Sequence, residues 1–216
     1  MNSTFKRTTG QQAIHLLPVK GRLLLLTILL FTGLSSLPAW AEMSIQYANV
    51  LGQGGAGTAA VNGAKLVRSE NGLVVSVRIP TPAPNSYNYP PANPFNPAAV
   101  PGKPEAFTLW AFVFNYPDSC ATPGHCVPSD IPNPDVATAV FNVAGHFVAG
   151  PVLQLNGNIT FNTEQFDLNP LLEPETAEVH LAIAPHGALQ SGALPNQIKT
   201  PIGNPSYWWP ALFLAD

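Results

Sequence analysis

The apolar residues of this chain recur at every second position over short stretches, which is the spacing of β-strands. Residues 73–79 (LVVSVRI) place aliphatic side chains at alternate positions. Residues 177–184 (AEVHLAIA) do the same, with Val179, Leu181 and Ile183 on one face. Residues 107–114 (FTLWAFVF) form an aromatic and aliphatic run without charge, which is typical of a fully buried strand. We predict that this last run is the central strand of the fold.

Two Asn-Gly pairs are typical of two-residue hairpin turns, in which both turn residues take positive φ angles. Asn71-Gly72 precedes the alternating residues 73–79. Asn156-Gly157 separates residues 152–155 from residues 158–163, so these two segments are predicted to be partner strands of one hairpin.

Glycines mark a further connection near the start of the predicted domain. Residues 44–51 are an extended segment, and LGQGGAGTAA follows from residue 51. This stretch looks like a dinucleotide-binding fingerprint, but no helix-periodic segment follows it, so a turn or glycine bulge is the simpler interpretation. Asn62-Gly63 is another candidate tight turn.

No stretch of the chain shows a sustained helical period. Residues 136–148 alternate as one strand or as two meeting at Gly145, and the terminal SYWWPALFLAD is strongly apolar. Many short strands separated by closely spaced turn signals predict an all-β fold, an antiparallel β-sandwich of the immunoglobulin type.

A proline-rich segment interrupts the strand pattern. Residues 80–104 contain nine prolines, and proline lacks the backbone donor that a central strand or a helix interior needs. We predict a long loop with polyproline II character that covers one edge of the sheet. The alternative is a docking segment for an aromatic-lined groove of a partner.

The first 41 residues have the layout of a secretory signal peptide. Basic residues precede an apolar run that begins at Leu23, and the small-residue pattern Ala39-Trp40-Ala41 follows. Cleavage near Ala41 would leave one domain, residues 42–216, in the periplasm or outside the cell, with no membrane span. An uncleaved membrane anchor is the alternative interpretation.

Charge excludes some partners of this domain. Four of the nine basic residues fall within residues 1–41, whereas all twelve acidic residues follow, which leaves five basic residues and a net charge of −7. A chain this acidic, without a basic cluster, is a poor candidate for nucleic acid or anionic lipid.

The two cysteines, Cys120 and Cys126, flank Pro123-Gly124 just after the predicted central strand. In an exported protein such a pair is expected to be a disulfide, closing a small loop. A metal or redox pair is the alternative, although the C-x₅-C spacing is not the C-x-x-C of a thioredoxin-like site.

Four histidines lie beyond residue 41: His125, His146, His180 and His186. His180 shares a strand face with Glu178, and His146 would join His180 and His186 if its strand packed alongside. Three imidazoles and a carboxylate suit copper or zinc, with Glu178 as a ligand or as the partner that orients a histidine. A hydrogen-bonded structural role for these histidines, with no cofactor, is the simpler interpretation.

Other groups give weaker indications of chemistry. The chain has no G-x-S-x-G motif, and the clustered Glu173, Glu175 and Glu178 are predicted to form a solvated face rather than a glycosidase pair. Trp208 and Trp209 would suit stacking against a sugar, or would close the core from a terminal strand. We therefore predict that the protein is not an enzyme.

Three motifs resemble a group of uncharacterised exported bacterial proteins. They are TLWAFVFNYPDSC followed by HCVPSD, then AGHFVAG, and then AEVHLAIAPHG, and the resemblance covers about residues 107–187. The AEVHL strand is also remotely similar to the strand signature of the chordin-type CHRD domain, an extracellular β-fold. The resemblance implies a secreted β-sandwich and supplies no activity.

Together these patterns predict a periplasmic or secreted, non-catalytic β-sandwich that acts as a binding or structural module. Its partner is an unidentified protein or carbohydrate. A periplasmic copper- or zinc-binding protein is the alternative function.

Overall fold

The chain is a β-sandwich, as the alternation of apolar residues predicts. The computed structural model describes residues 43–84, 86–91, 94–95, 103–201 and 204–215. The predicted signal peptide and the middle of the proline-rich segment lie outside these residues. Within them, eight strands form two four-stranded antiparallel sheets.

The first sheet has the strand order β1-β2-β3-β6, and the second has the order β5-β4-β7-β8. The strands of the first sheet are β1 (Ser44–Leu51), β2 (Thr58–Ser69), β3 (Gly72–Pro80) and β6 (Val152–Thr160). Those of the second are β4 (Glu105–Phe114), β5 (Thr138–Val148), β7 (Glu178–Ala188) and β8 (Trp209–Phe213). A one-turn helix, α1 (Asn196–Lys199), precedes β8.

The core lies between the two sheets. Alternate residues of β3, from Leu73 to Ile79, are buried as the sequence predicts, and they form one apolar cluster with β4 residues such as Phe107 and Leu109. Trp209 belongs to the same cluster, with its ring centroid 5.3 Å from that of Tyr87. Burial of apolar surface from both sheets is the main stabilising contribution in such an architecture.

The central strand β4 is also covered on its outer face. Trp110 packs there with Val140, Ala182 and Ala184, and Trp208 and Phe112 pack against this second cluster. A strand paired on both edges and covered on both faces has no position that requires a polar side chain. This location explains why residues 107–114 carry no charge and include one polar side chain, the buried Thr108.

Two of the three Asn-Gly predictions are wrong. Asn71-Gly72 does belong to a hairpin, since Ser69 pairs with Gly72 across the Glu70-Asn71 turn. Asn156-Gly157, however, lies within β6, which pairs with β3 over its whole length, so residues 152–155 and 158–163 do not form a hairpin.

Close approach of two strands explains the glycine at position 157. A Cβ atom there would lie 2.5 Å from Val143 Cγ1 and 2.6 Å from the Val143 carbonyl oxygen, both too short for real contacts. Asn62-Gly63 likewise lies inside β2, at an irregularity in the pairing with β1. Asn62 has a φ of 48°, and its N–H donates to Asn49 Oδ1 at 2.9 Å. Asn62-Gly63 thus lies at an irregularity within the first sheet and Gly157 at a contact between the two sheets, and neither pair reverses the chain.

The described part of the proline-rich segment is anchored on the core and contains no helix or strand after Pro80. The hydroxyls of Tyr87 and Tyr89 donate to Glu105 Oε2, at 3.1 and 2.8 Å. Burial raises the pKa of both tyrosines above their usual range, so the hydroxyls remain protonated donors. This segment therefore supplies two donors to one oxygen of the buried Glu105 carboxyl group and also covers apolar surface.

The contact at Gly157 generates a stability prediction. We expect Gly157→Ala to lower the free energy of unfolding by about 1–3 kcal/mol, because the added methyl group overpacks the contact with Val143. Gly150→Ala is the matched control, since a Cβ atom at position 150 meets nothing within 4 Å. Urea denaturation of both variants measures the difference. Equal stability of the two variants would contradict the proposed role of Gly157.

Candidate functional site

The loop after β4 is closed by the predicted disulfide between Cys120 and Cys126, with an S–S distance of 2.00 Å. Asp130 stabilises the loop from within, because its carboxylate oxygens accept hydrogen bonds from the backbone N–H groups of Ala121 and Val127, at 3.0 and 2.8 Å. We call residues 117–131 the disulfide loop. Covalent closure and a buried acceptor together hold this irregular segment in one conformation.

Asn115, which directly follows β4, ties several irregular segments together. Its Nδ2 group donates to the carbonyl oxygens of Ala137 and Pro170, at 2.6 and 2.9 Å. Its Oδ1 atom accepts from the N–H groups of Leu172 and Glu173, at 2.8 and 3.3 Å. The asparagine of the F-N-x-P motif thus replaces sheet hydrogen bonds that these loop segments lack.

The disulfide loop is fixed to the second sheet by the carboxyl group of Glu178, which is completely buried. Glu178 Oε1 accepts the backbone N–H of Cys126 at 2.9 Å and lies 2.5 Å from His180 Nε2. Glu178 Oε2 has no hydrogen-bond partner among the described residues. Because a buried carboxyl group is costly without donors, this arrangement holds the loop against the start of β7.

An apolar cleft of about 370 Å³ lies between the disulfide loop and the segment that leads into β8. We call it the β7 cleft. Its lining consists of Phe112, Phe114, Cys126, Val127, Pro128, Ile131, His180, Leu181, Ala182, Pro205, Trp208, Pro210 and Leu212. A concave apolar site of this volume with one polar group is typical of small-molecule binding sites.

Aromatic rings shape the floor and one wall of the β7 cleft. Phe112 stacks on Trp208 with ring centroids 5.5 Å apart and an interplanar angle of 27°. Phe114 meets the imidazole of His180 edge-on, at 4.9 Å between centroids. These contacts fix the rings in place, so the cleft is formed without a ligand.

His180 is the titratable side chain of the cleft lining, and its side chain is 15% exposed. Burial lowers its pKa below the usual value, against the opposing effect of the nearby Glu178 carboxyl group. The imidazole is therefore neutral at pH 7. It can donate or accept a hydrogen bond but carries no charge with which to attract an anion.

The structure does not bring the three predicted metal-binding histidines together. His180 and His186 are six residues apart on β7, which separates their Cα atoms by about 20 Å. His146 pairs with the core-facing Phe107, whereas His180 pairs with Phe112 on the outer face, so the two histidines lie on opposite faces. Glu178 contacts only His180 of this set.

His186 is part of a buried hydrogen-bonded chain. Its Nε2 atom lies 2.8 Å from Thr108 Oγ1, which also accepts the indole N–H of Trp110 at 2.8 Å. In the part of the chain that the structure describes, no group of three or more His, Cys, Asp or Glu side chains is arranged to hold a metal ion. The copper or zinc alternative therefore has no assembled ligand set in this part.

The prediction for the clustered glutamates is wrong for one of them. Glu173 and Glu175 are exposed, as predicted, but Glu178 is completely buried. The reason is that Glu178 begins β7 directly beneath the disulfide loop, where Cys126 and His180 supply hydrogen-bond partners. Sequence proximity to two solvated carboxylates gave no indication of these partners.

The two tryptophans predicted to bind a ligand occupy different environments. Trp208 lines the β7 cleft, whereas Trp209 is buried in the core, where its ring meets those of Tyr87 and Phe107. The sequence interpretation missed the wall formed by Val127, Pro128 and Ile131. Apolar residues that follow the second cysteine were the available signal, since solvated loops rarely need them.

Comparisons with protein families, with curated proteins and with solved structures find no match to this chain. None of the helices within the described residues has the length and apolar character needed to cross a membrane. The functional argument therefore depends on the geometry of the β7 cleft.

The disulfide generates one prediction. We expect Cys120→Ser to lower the free energy of unfolding by about 2 kcal/mol with the fold retained, because opening this short loop restores chain entropy to the unfolded state. Ala121→Ser, an exposed change in the same loop, is the matched control. Chemical denaturation measures stability, and far-ultraviolet circular dichroism tests whether the strands persist. Unchanged stability, or loss of the β spectrum, would contradict this expectation.

A pH prediction follows from His186. Burial lowers its pKa to about 4, whereas an unfolded histidine has a pKa of about 6.5. Between these values the unfolded chain binds a proton that the folded chain does not, so stability is fully present above about pH 6.5 and falls as the pH is lowered. We expect His186 to account for a loss of about 2 kcal/mol between pH 7 and pH 5.

The measurement is urea denaturation at pH 7 and pH 5 for the wild-type protein and for His186→Asn. The asparagine cannot titrate but retains a polar group near Thr108, so the variant should lose less stability on acidification. An equal pH dependence in both proteins would show that His186 does not cause it.

Proposed function

We propose that this protein is an exported, non-catalytic binding module that holds an apolar ligand in the β7 cleft. The observation that carries the proposal is a concave site lined by apolar side chains, one wall of which begins at the disulfide-bonded Cys126 and continues through Val127, Pro128 and Ile131. Association costs less when the binding site is already ordered, because fewer side chains and loops must be immobilised.

The disulfide and the predicted signal peptide support an extracytoplasmic location. Disulfides persist in oxidising compartments and are rare in the cytosol. Cys120 and Cys126 are bonded, and the disulfide stabilises the loop that forms the cleft wall. A periplasmic or secreted protein would keep this wall intact, which makes the location part of the same proposal.

The composition of the cleft supports binding rather than catalysis. The Glu178–His180 pair is of the kind that activates a nucleophile, but the residues that line the cleft include no serine, threonine or free cysteine. The sulfur of Cys126 is held in the disulfide. The lining therefore offers shape, apolar surface and two side chains that contain nitrogen, those of His180 and Trp208.

A carbohydrate suits this site less well than an apolar compound. Sugar hydroxyls need several polar partners once they leave water, whereas His180 and the indole of Trp208 are the only lining side chains that contain nitrogen, and none contains oxygen. Trp208 and Phe112, which also line a neighbouring apolar hollow of about 240 Å³, add further apolar contact surface. The ligand is thus expected to be mainly hydrophobic.

Binding of the neutral dye N-phenyl-1-naphthylamine tests the proposal. We expect saturable binding with one site per chain, and we expect Val127→Glu to weaken it at least tenfold, because a charge in an apolar wall must be desolvated when the dye binds. Val74→Glu is the matched control. Val74 is 53% exposed on the other sheet, so the same charge should leave dye affinity unchanged there.

Dye fluorescence titration measures the affinities. Absence of saturable binding, or an equal effect of the two glutamate substitutions, would contradict the assignment of the β7 cleft as the binding site. Because both valines are partly exposed, both variants should fold.

A further inference from the structure

We propose that the β7 cleft selects neutral ring compounds that carry one hydrogen-bond donor, such as phenols, and that Nδ1 of His180 accepts the donor's hydrogen. This inference rests on the proposed function, because it specifies which apolar ligands the cleft prefers. Three features of the site support it: the tautomer of His180, the unpaired state of Nδ1, and the shape of the walls.

Glu178 fixes the tautomer of His180. Oε1 of Glu178 accepts the backbone N–H of Cys126, so this oxygen acts as an acceptor. We assign the same role to this oxygen in its 2.5 Å contact with Nε2 of His180, which places the ring proton on Nε2. A neutral imidazole protonated at Nε2 has its lone pair at Nδ1. On this assignment His180, which lines the cleft, has an acceptor rather than a donor at its second ring nitrogen, and Nδ1 is not among the fully buried unpartnered atoms.

Nδ1 of His180 has no hydrogen-bond partner among the described residues, whereas Nε2 is engaged by Glu178. An apolar ligand without a donor would remove water from Nδ1 and leave it unpaired. A ligand with an O–H or N–H group would replace that water. A ligand with a donor is therefore favoured. The free-energy cost of leaving a buried acceptor without a hydrogen bond exceeds the net stabilisation that a formed hydrogen bond contributes.

The walls favour a flat ring of one or two cycles. Trp208 and Phe112 supply aromatic faces, and the pyrrolidine rings of Pro128, Pro205 and Pro210 supply flat aliphatic surface. No lysine, arginine, aspartate or glutamate is among the residues that line the cleft, so a charged ligand would lose its hydration without gaining a counter-ion. Neutral compounds fit this environment.

A matched pair of ligands isolates the hydrogen bond. 4-Ethylphenol and 4-ethyltoluene differ by a hydroxyl in place of a methyl group of similar size. Their affinities are measured by displacement of N-phenyl-1-naphthylamine from the purified protein. We expect 4-ethylphenol to bind about tenfold more tightly. In His180→Phe, which keeps a ring but lacks the acceptor, the two compounds should bind equally.

A spectroscopic measurement does not depend on any variant folding. In protein labelled with ¹⁵N-histidine, the wild-type spectrum should show His180 protonated at Nε2. The Nδ1 resonance of His180 should shift when 4-ethylphenol is added and remain in place when 4-ethyltoluene is added. A His180 ring protonated at Nδ1, or equal responses to both compounds, would overturn the inference.

The outcomes separate this inference from the proposed function. Dye binding that Val127→Glu weakens, combined with equal affinity for the two ligands, would leave the proposed function standing and refute the role of Nδ1. Absence of dye binding and of binding by both compounds would refute both proposals. Preference for 4-ethylphenol that persists in His180→Phe would also refute the assignment to Nδ1.

Discussion

The burial of one carboxyl group constrains the whole candidate site. Glu178 begins β7 with no solvent exposure, and a buried carboxyl group requires hydrogen-bond donors. Cys126 and His180 supply them, one from a loop and one from the same strand face. The disulfide loop must therefore lie directly over the end of the second sheet. Its position, the orientation of His180 and the wall of the β7 cleft all follow from this single requirement.

Buried polar side chains organise the irregular segments in the same way. Asn115 makes four hydrogen bonds to backbone groups, and Asp130 makes two within the disulfide loop. Loops lack the ladder bonds of a sheet, so their buried N–H and C=O groups need such partners. The motifs FNYP, HCVPSD and AEVH each contain one of these residues. Their shared role is to hold an ordered layer of loops at one end of the sandwich.

The sequence predicts most of the fold but only part of the site. Strand burial produces both the alternation within residues 73–79 and the apolar character of residues 107–114. Both strands can therefore be predicted from the sequence alone. Gly157 misled the prediction, because glycine serves both tight turns and close strand contacts, and only tertiary packing distinguishes them. The pairing of Glu178 with His180 follows from their spacing of two on one strand. The backbone N–H of Cys126, which donates to Glu178, lies 52 residues away in the chain, so no local sequence pattern indicates this contact.

The β7 cleft itself follows from how the outer face of the second sheet is covered. Because β4 is mainly apolar on both faces, its outer side must be shielded from water as well as its inner side. The disulfide loop covers the end near Phe114, and Trp208 covers the face around Phe112. Residues of both covers line the β7 cleft, which lies between them. On the proposed function, an apolar ligand in the β7 cleft covers the remaining part of this outer face. Nδ1 of His180 then favours ligands that carry a hydrogen-bond donor.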